Sequence, residues 1–386
     1  MRILLFTGKG GVGKTTLAAA TGAALAGRGR KTLVVSTDPA HSLADAFGTP
    51  LGTDPAEVEG TAGLWAAQVD SRTLADRTWH ELRGELRKVL TGAGLDILDA
   101  EELTVLPGVD ELLALSEVQR LASHGPWDTV VVDCGPTAET LRLLSLPEAV
   151  SGYLTRMYGT RRVAASIRRL GTHLDALRSL LTDPAVTTVR LVLTPERLVV
   201  AEARRTLTSL ALRGIAVDGL IANRLMPAPG LWRGSAAKWL RTRRDQQDAV
   251  LAELAAAGFR PALVEHRASE PVGTTALAEL ARELYGSRDP LAGNGKPVTP
   301  LLTVTAGTAG TAATSPGGGF RLRVALPLER DSVLDLARVD DDLAITVDGF
   351  RRLVALPETL RPCRITGAES DADGLTITLA EERGPE

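Results

Sequence analysis

Short apolar runs alternate along this chain with longer segments whose apolar residues recur every three or four positions. The runs at residues 2–7, 31–36, 64–69, 129–133, 188–194, 217–223 and 260–264 predict β-strands. Helical spacing predicts helices over 15–27, 137–144, 196–213, 236–257 and 275–285. Strands that are apolar throughout and alternate with helices belong in a sheet covered on both faces. The predicted fold class is therefore α/β, a doubly wound and mostly parallel sheet. Residues 71–126 and 147–187 break the rhythm. Both are longer than an ordinary crossover and mostly helical in pattern. They predict helical insertions that form one subdomain above the sheet.

The pattern changes after residue 285. Residues 286–319 contain a run of Thr, Ala, Gly and Ser with few large apolar side chains, which predicts a flexible linker. Residues 320–382 then alternate apolar and polar with period two, around turns such as Asp348-Gly349 and Asp373-Gly374. This predicts a small C-terminal antiparallel β-sandwich.

Composition narrows the classes. The 386 residues are 44% hydrophobic and 24% charged, enough for a self-sufficient core, and the net charge of −3 gives no pull toward nucleic acid. Two cysteines far apart form no disulfide framework or CxxC pair, and the five histidines lack metal-ligand spacing. The first residues are too short an apolar segment for a signal peptide, and no apolar stretch is long enough to span a membrane. The expected setting is cytoplasmic. Only six lysines occur, and two of them, Lys9 and Lys14, share one seven-residue stretch.

That stretch lies in Gly8-Lys9-Gly10-Gly11-Val12-Gly13-Lys14-Thr15, which follows a predicted strand, opens a predicted helix and satisfies G-x-x-x-x-G-K-[ST]. Its glycines let backbone N–H groups turn inward toward phosphate, and the helix N-terminus adds partial positive charge. Gly8 through Thr15, with Thr16 behind them, are the expected nucleotide-binding residues. Lys14 is expected on the β- and γ-phosphates and the Thr15 hydroxyl on Mg²⁺. Asp38 ends the second predicted strand, facing the crevice where such sheets bind ligands. It reads either as the holder of an attacking water or as a cap for the next helix. Asp133 ends an apolar strand, the pattern of a carboxylate in the Mg²⁺ shell.

Together these motifs resemble the ArsA group of P-loop ATPases, which includes the eukaryotic tail-anchored-protein targeting ATPase. Lys9 resembles that group's second loop lysine, which reaches the partner's phosphates across a nucleotide-sandwiched dimer. Asp38-Pro39-Ala40-His41-Ser42-Leu43 resembles its first switch, with Ser42 where Asn is usual. Asp133-Cys134-Gly135-Pro136-Thr137 resembles its second switch, with Ala138-Glu139 at an altered centre. Asn223, and Pro271 within Glu270–Gly273, resemble loops that enclose adenine.

The resemblance covers residues 1–285 and implies an ATP-hydrolysing domain. Lys9, Lys14 and Asp38 would be catalytic, and Thr15, Asp38 and Asp133 would stand around Mg²⁺, directly or through water. It also implies a homodimer. The C-terminal module resembles the α-crystallin-like domain appended to some ArsA-like ATPases. Arsenite needs clustered thiols, and only Cys134 lies in the ATPase region, which argues for a different cargo. A hydrophobic protein client is expected, held by insertion residues such as Leu154, Met157, Tyr158, Val163 and Ile167. The alternatives are a ParA- or MinD-like positioning switch and a nucleotide-binding scaffold with little turnover. The first lacks a basic DNA patch or a terminal membrane helix in this sequence.

Overall fold

The central apolar runs are rich in Val, Ile, Leu and Thr and buried on both faces, so they line up as strands of one sheet. The computed structural model describes residues 1–38, 42–69, 109–135, 165–228, 230, 233–256, 258–293, 302–306, 319–325, 333–347, 349–356, 358–371 and 374–381. The first part of the chain gives β1 (Arg2–Thr7), α1 (Lys14–Ala26), β2 (Thr32–Ser36), α2 (Ser42–Phe47), β3 (Ala56–Glu57), β4 (Leu64–Gln68), α3 (Val109–His124) and β5 (Thr129–Asp133). It continues with α4 (Ala165–Thr182), β6 (Thr187–Leu193), α5 (Arg197–Leu212), β7 (Val217–Leu225), α6 (Ser235–Ala256), β8 (Ala262–Glu265) and α7 (Gly273–Tyr285).

Eight strands pair in the order β3-β4-β2-β5-β1-β6-β7-β8. All neighbours are parallel except β3 with β4. β5 lies between β1 and β2, in a register that sets Asp133 level with both Phe6 and Ser36. This register positions the site: it brings three strand ends, far apart in sequence, to one edge of the sheet. Leu4, Phe6, Leu17, Val34, Val131 and Leu277 are buried in the core between the sheet and helices α1 and α7.

The structure corrects several expectations. β3 is a two-residue antiparallel edge strand, too short and exposed to leave a pattern. β7 runs on to Leu225 and β8 starts at Ala262. Residues 109–124 and 165–182, read as parts of inserted subdomains, are instead helices against the sheet. Leu115 and Val118 of α3 and Leu177 and Leu181 of α4 line one small apolar cleft with Ile3 and Leu5 of β1. Position 187, taken as the end of an insertion, already belongs to β6. The helix predicted over 137–144 and the other insertion residues lie outside the described residues.

Arg190 is a charge in the middle of a wholly buried strand, and no motif in the sequence accounts for it. Its guanidinium forks onto Asp218, with Nε–Oδ1 at 3.1 Å and Nη2–Oδ2 at 2.9 Å. Nη1 donates to the Tyr285 hydroxyl at 3.0 Å. That hydroxyl donates to Thr21 Oγ1 at 2.7 Å, since Thr21 spends its own proton on the Leu17 carbonyl at 2.6 Å. The network ties β6 and β7 to α1 and α7. Removing one partner of a buried ion pair strands the other. Arg190→Met is expected to cost about 3–5 kcal/mol, and Tyr285→Phe about 1 kcal/mol, read as shifts in the urea midpoint. Equal, small shifts for both would contradict this reading of the network.

The chain divides into two units, Met1–Ala203 with Ala216–Lys296, and Arg204–Ile215 with Pro297–Glu386. The second unit holds a four-stranded antiparallel sheet, β14-β15-β10-β9, and a three-stranded one, β11-β12-β13. Their ranges are β9 (Leu302–Ala306), β10 (Gly319–Ala325), β11 (Leu334–Val339), β12 (Asp342–Val347), β13 (Phe350–Ala355), β14 (Cys363–Asp371) and β15 (Gly374–Glu381). Leu322, Val324, Ile345, Val347, Ile377 and Leu379 meet in its core. The stretch read as a linker is partly ordered. It contains a 3₁₀ turn at Pro290–Ala292, and β9 pairs with β10. The Thr-Val-Thr of β9 gives a strand signal too short to outweigh the surrounding low complexity.

Candidate functional site

The loop after β1 is shaped by close approaches. Gly8 passes so near β6 that a Cβ there would lie 2.2 Å from the Val192 carbonyl oxygen. Gly13, at φ 92°, leaves room for the Asn223 amide, which a Cβ would meet at 2.4 Å. Only glycine fits at either position. α1 then starts at Lys14, with the first N–H groups of the helix at the loop. The Lys14 side chain is buried and folds back, its ammonium donating to the Lys9 carbonyl at 3.2 Å. Thr16 is half-buried in the first turn of α1.

Asp133 is the centre of the polar cluster. Its Oδ2 accepts from Thr15 Oγ1 at 2.8 Å and from Ser36 Oγ at 3.0 Å. Thr15 Oγ1 also lies 3.0 Å from the Ser42 hydroxyl, at the start of α2. The Asp38 N–H donates to Ser36 Oγ at 3.2 Å, and the Thr37 N–H to the Asp133 carbonyl at 2.9 Å. Thr15 of α1 and Ser36 of β2 thus converge on the carboxylate at the end of β5, Ser42 of α2 joins through Thr15, and Asp38 stands half-buried nearby. Burial pushes the Asp133 carboxyl up to about 6. The hydrogen bonds from Thr15 and Ser36 and the charge of Lys14 oppose that rise, and the charge of Asp38 adds to it. Its second oxygen, Oδ1, is buried and accepts no hydrogen bond among the described residues.

An orphaned carboxylate oxygen beside a threonine hydroxyl suits a divalent cation. Among the described residues, no group of three or more His, Cys, Asp and Glu could hold a metal alone. Magnesium does not need one, because it takes one or two carboxylates together with phosphate oxygens. Thr15 and Asp133 fit that donor set.

The structure brings Lys9, Lys14, Thr15, Asp38, Asp133 and Asn223 to one edge of the sheet. Lys9 points outward and pairs with Glu202 of α5 at 3.0 Å, with both side chains about half exposed. Such a pair is worth no more than ~1 kcal/mol, so Lys9 is released at little cost. Asn223 Nδ2 donates to the Val12 carbonyl at 2.8 Å, fastening the end of β7 to the phosphate loop. Pro271 is half-buried in the turn that enters α7, which packs along α1 and against α2. Pro39, Ala40, His41 and the second-switch residues from Pro136 to Arg142 lie outside the described residues. Sequence reasoning missed Glu202 and the bond between Ser42 and Thr15.

Cys134 is buried, and burial together with the adjacent Asp133 charge pushes its thiol up to about 12. Cys363 is buried in the other unit. Neither presents a reactive thiolate.

Comparison of the sequence with known proteins gives its family. A model of the anion-transporting ATPase family, ArsA, matches residues 1–175 and 163–286. A model of the HSP20-like domain found in ArsA matches residues 317–379. Protein Rv2184c of Mycobacterium tuberculosis is 38% identical, covering 97% of this chain and 95% of the relative. A putative arsenical pump-driving ATPase of Chlorobaculum tepidum is 32% identical over 93% of this chain and 91% of its own. ATPase GET3 of Podospora anserina is 31% identical over 60% of this chain and 75% of its own. The chain belongs to the ArsA ATPase family and carries that family's HSP20-like C-terminal domain.

Proposed function

We propose that this member of the ArsA family binds ATP with Mg²⁺ and hydrolyses its β–γ phosphoanhydride, working as a homodimer. The observation that carries the reading is the Thr15–Asp133 pair, whose spare carboxylate oxygen is buried. Lys14 and the loop N–H groups hold the phosphates. Thr15 and Asp133 would hold the metal, which when bound would neutralise phosphate charge. Asp38 orients the attacking water and takes up its proton as the new P–O bond forms. The leaving group is ADP.

Lys9 is the residue that couples hydrolysis to assembly. Freed from Glu202, it supplies positive charge to the partner's phosphates. Light scattering on the full chain with Mg²⁺ and a non-hydrolysable ATP analogue is expected to give about twice the 40.7 kDa monomer mass. Lys9→Ala is expected to lower turnover about a hundredfold or more, in line with charge supplied in trans. Full activity of Lys9→Ala as a monomer would remove the dimeric switch from the account.

The cargo follows from the thiols. The name of the Chlorobaculum relative points to arsenic, but this chain has only Cys134 and Cys363, one in each unit and both buried. As(III) wants several accessible thiolates. A hydrophobic protein segment fits better, and the insertion's apolar residues support it. Of these, Leu154, Met157, Tyr158 and Val163 lie outside the described residues, and Ile167 is placed on α4 by its backbone. Capture of a synthetic membrane-helix peptide that depends on ATP, and is lost when Leu154 and Met157 become Asp, tests it. Equal capture by that variant would refute it. Among the described residues no helix is long and apolar enough to cross a membrane.

A further inference from the structure

Ser36 is the last residue of β2 and is wholly buried. A buried hydroxyl is costly unless it is hydrogen-bonded. Its oxygen accepts from the Asp38 N–H at 3.2 Å. A backbone N–H can only donate, so the Ser36 proton is left for Asp133 Oδ2, 3.0 Å away. The direction of this bond is therefore fixed. The backbone beneath it is held from both sides. Ser36 stands in register with Asp133 on the neighbouring parallel strand, and its carbonyl accepts from the Val69 N–H at 2.9 Å.

Oδ2 of Asp133 also accepts from Thr15 at 2.8 Å. A carboxylate has about four lone-pair sites, shared equally between its oxygens. Two donors therefore fill Oδ2. Oδ1 is buried too, yet accepts no hydrogen bond among the described residues. Two hydroxyls thus give the oxygens of one carboxylate different tasks. They are not equivalent. Thr15 spends its proton on Asp133, so it accepts from Ser42 at 3.0 Å and keeps one lone pair for a cation. Ser36 spends its proton on Asp133 and a lone pair on the Asp38 N–H, so it acts through the carboxylate. Without Ser36, Oδ2 keeps a single donor and the carboxylate is free to turn about its Cβ–Cγ bond.

We infer that Ser36 is a positioning residue for the metal carboxylate, keeping Oδ1 of Asp133 free for the cation without touching cation or nucleotide. The inference rests on the reading of Thr15 and Asp133 as a Mg²⁺ site. The test is calorimetric binding of ADP to the full chain, once with Mg²⁺ and once with the metal chelated. Ser36→Ala removes only the hydroxyl. It is expected to weaken ADP about tenfold in Mg²⁺, the low end of the loss when a ligating carboxylate gives up a hydrogen-bond partner. Affinity for ADP without the metal is expected to stay within about twofold, because the phosphate loop is unaltered. A merely structural role would lower both affinities together or neither. If Ser36→Ala does not fold, Ser36→Cys, similar in size and only a weak donor, carries the same comparison. For either variant, unchanged affinity in Mg²⁺, or an equal loss with and without the metal, overturns the inference. A wild-type chain that does not bind ADP, or binds it equally with and without Mg²⁺, overturns the metal site itself, a result distinct from a loss seen only in the variants.

Discussion

Asp38→Asn is expected to lower phosphate release at least about a hundredfold while leaving the affinity for ATP within a few fold. The substitution keeps the shape of the side chain and the bond from the residue 38 N–H to Ser36 Oγ. What it removes is the ability to accept a proton from water. Asp38 lies two residues beyond the end of β2, and its charge acts at Asp133. The register of β2 against β5 fixes that proximity, so the variant's architecture is expected to be unchanged. Steady-state phosphate release with parallel ATP binding separates the two effects. Normal turnover with a lowered melting temperature would instead favour Asp38 as a helix cap.

Asp133→Asn is expected to stabilise the ligand-free protein at pH 7.5 and to abolish its stabilisation by Mg²⁺-nucleotide. Burial raises the Asp133 carboxyl from 3.8 to about 6 in the fold. Between these values the folded chain keeps a proton that the unfolded chain has released. Folding takes up that proton, so stability falls as pH rises through the window from about 4 to about 6. Two units correspond to about 3 kcal/mol lost above pH 6. Asparagine carries no charge, and its carbonyl still accepts from Thr15 and Ser36. Part of the gain is offset by an amide N–H₂ where Oδ1 lacked a partner, leaving about 2 kcal/mol, or roughly 5 °C in the melting temperature. The gain should shrink as pH falls and reverse near pH 4, where both side chains are neutral and only the amide cost of about 1 kcal/mol remains. A variant that melts lower than wild type at pH 7.5 would refute the claim that this carboxylate is held against the interest of the apo fold.

The two predictions concern residues that the sequence exposed readily. The phosphate-loop motif is eight consecutive residues, Asp133 ends an apolar strand and Asp38 closely follows one, so local spacing reveals them. The mostly parallel sheet was legible for the same reason. Other features depend on contacts between positions far apart, which no periodicity records. Lys9 and Glu202 pair across nearly two hundred residues, and Arg190 meets Asp218 and Tyr285 from three separate elements. Gln247, the buried glutamine of α6, did leave a trace. It precedes Val250 and Leu254 at spacings of three and four, on the one apolar stripe of α6. A glutamine on such a stripe needs partners, but the sequence does not say that they are the carbonyl of Arg224 and the N–H of Met226. The length and strand content of residues 286–319 misled for another reason. β9 is stabilised by pairing with β10, not by its own composition.

The most direct test of the account is phosphate release by the wild-type chain at saturating ATP, with Mg²⁺ and then with the metal chelated, alongside a measurement of bound nucleotide. The account predicts turnover with Mg²⁺ that disappears on chelation and in Lys14→Ala. Nucleotide bound in full with Mg²⁺, and phosphate release no faster than from free ATP, would contradict it and leave a nucleotide-binding scaffold.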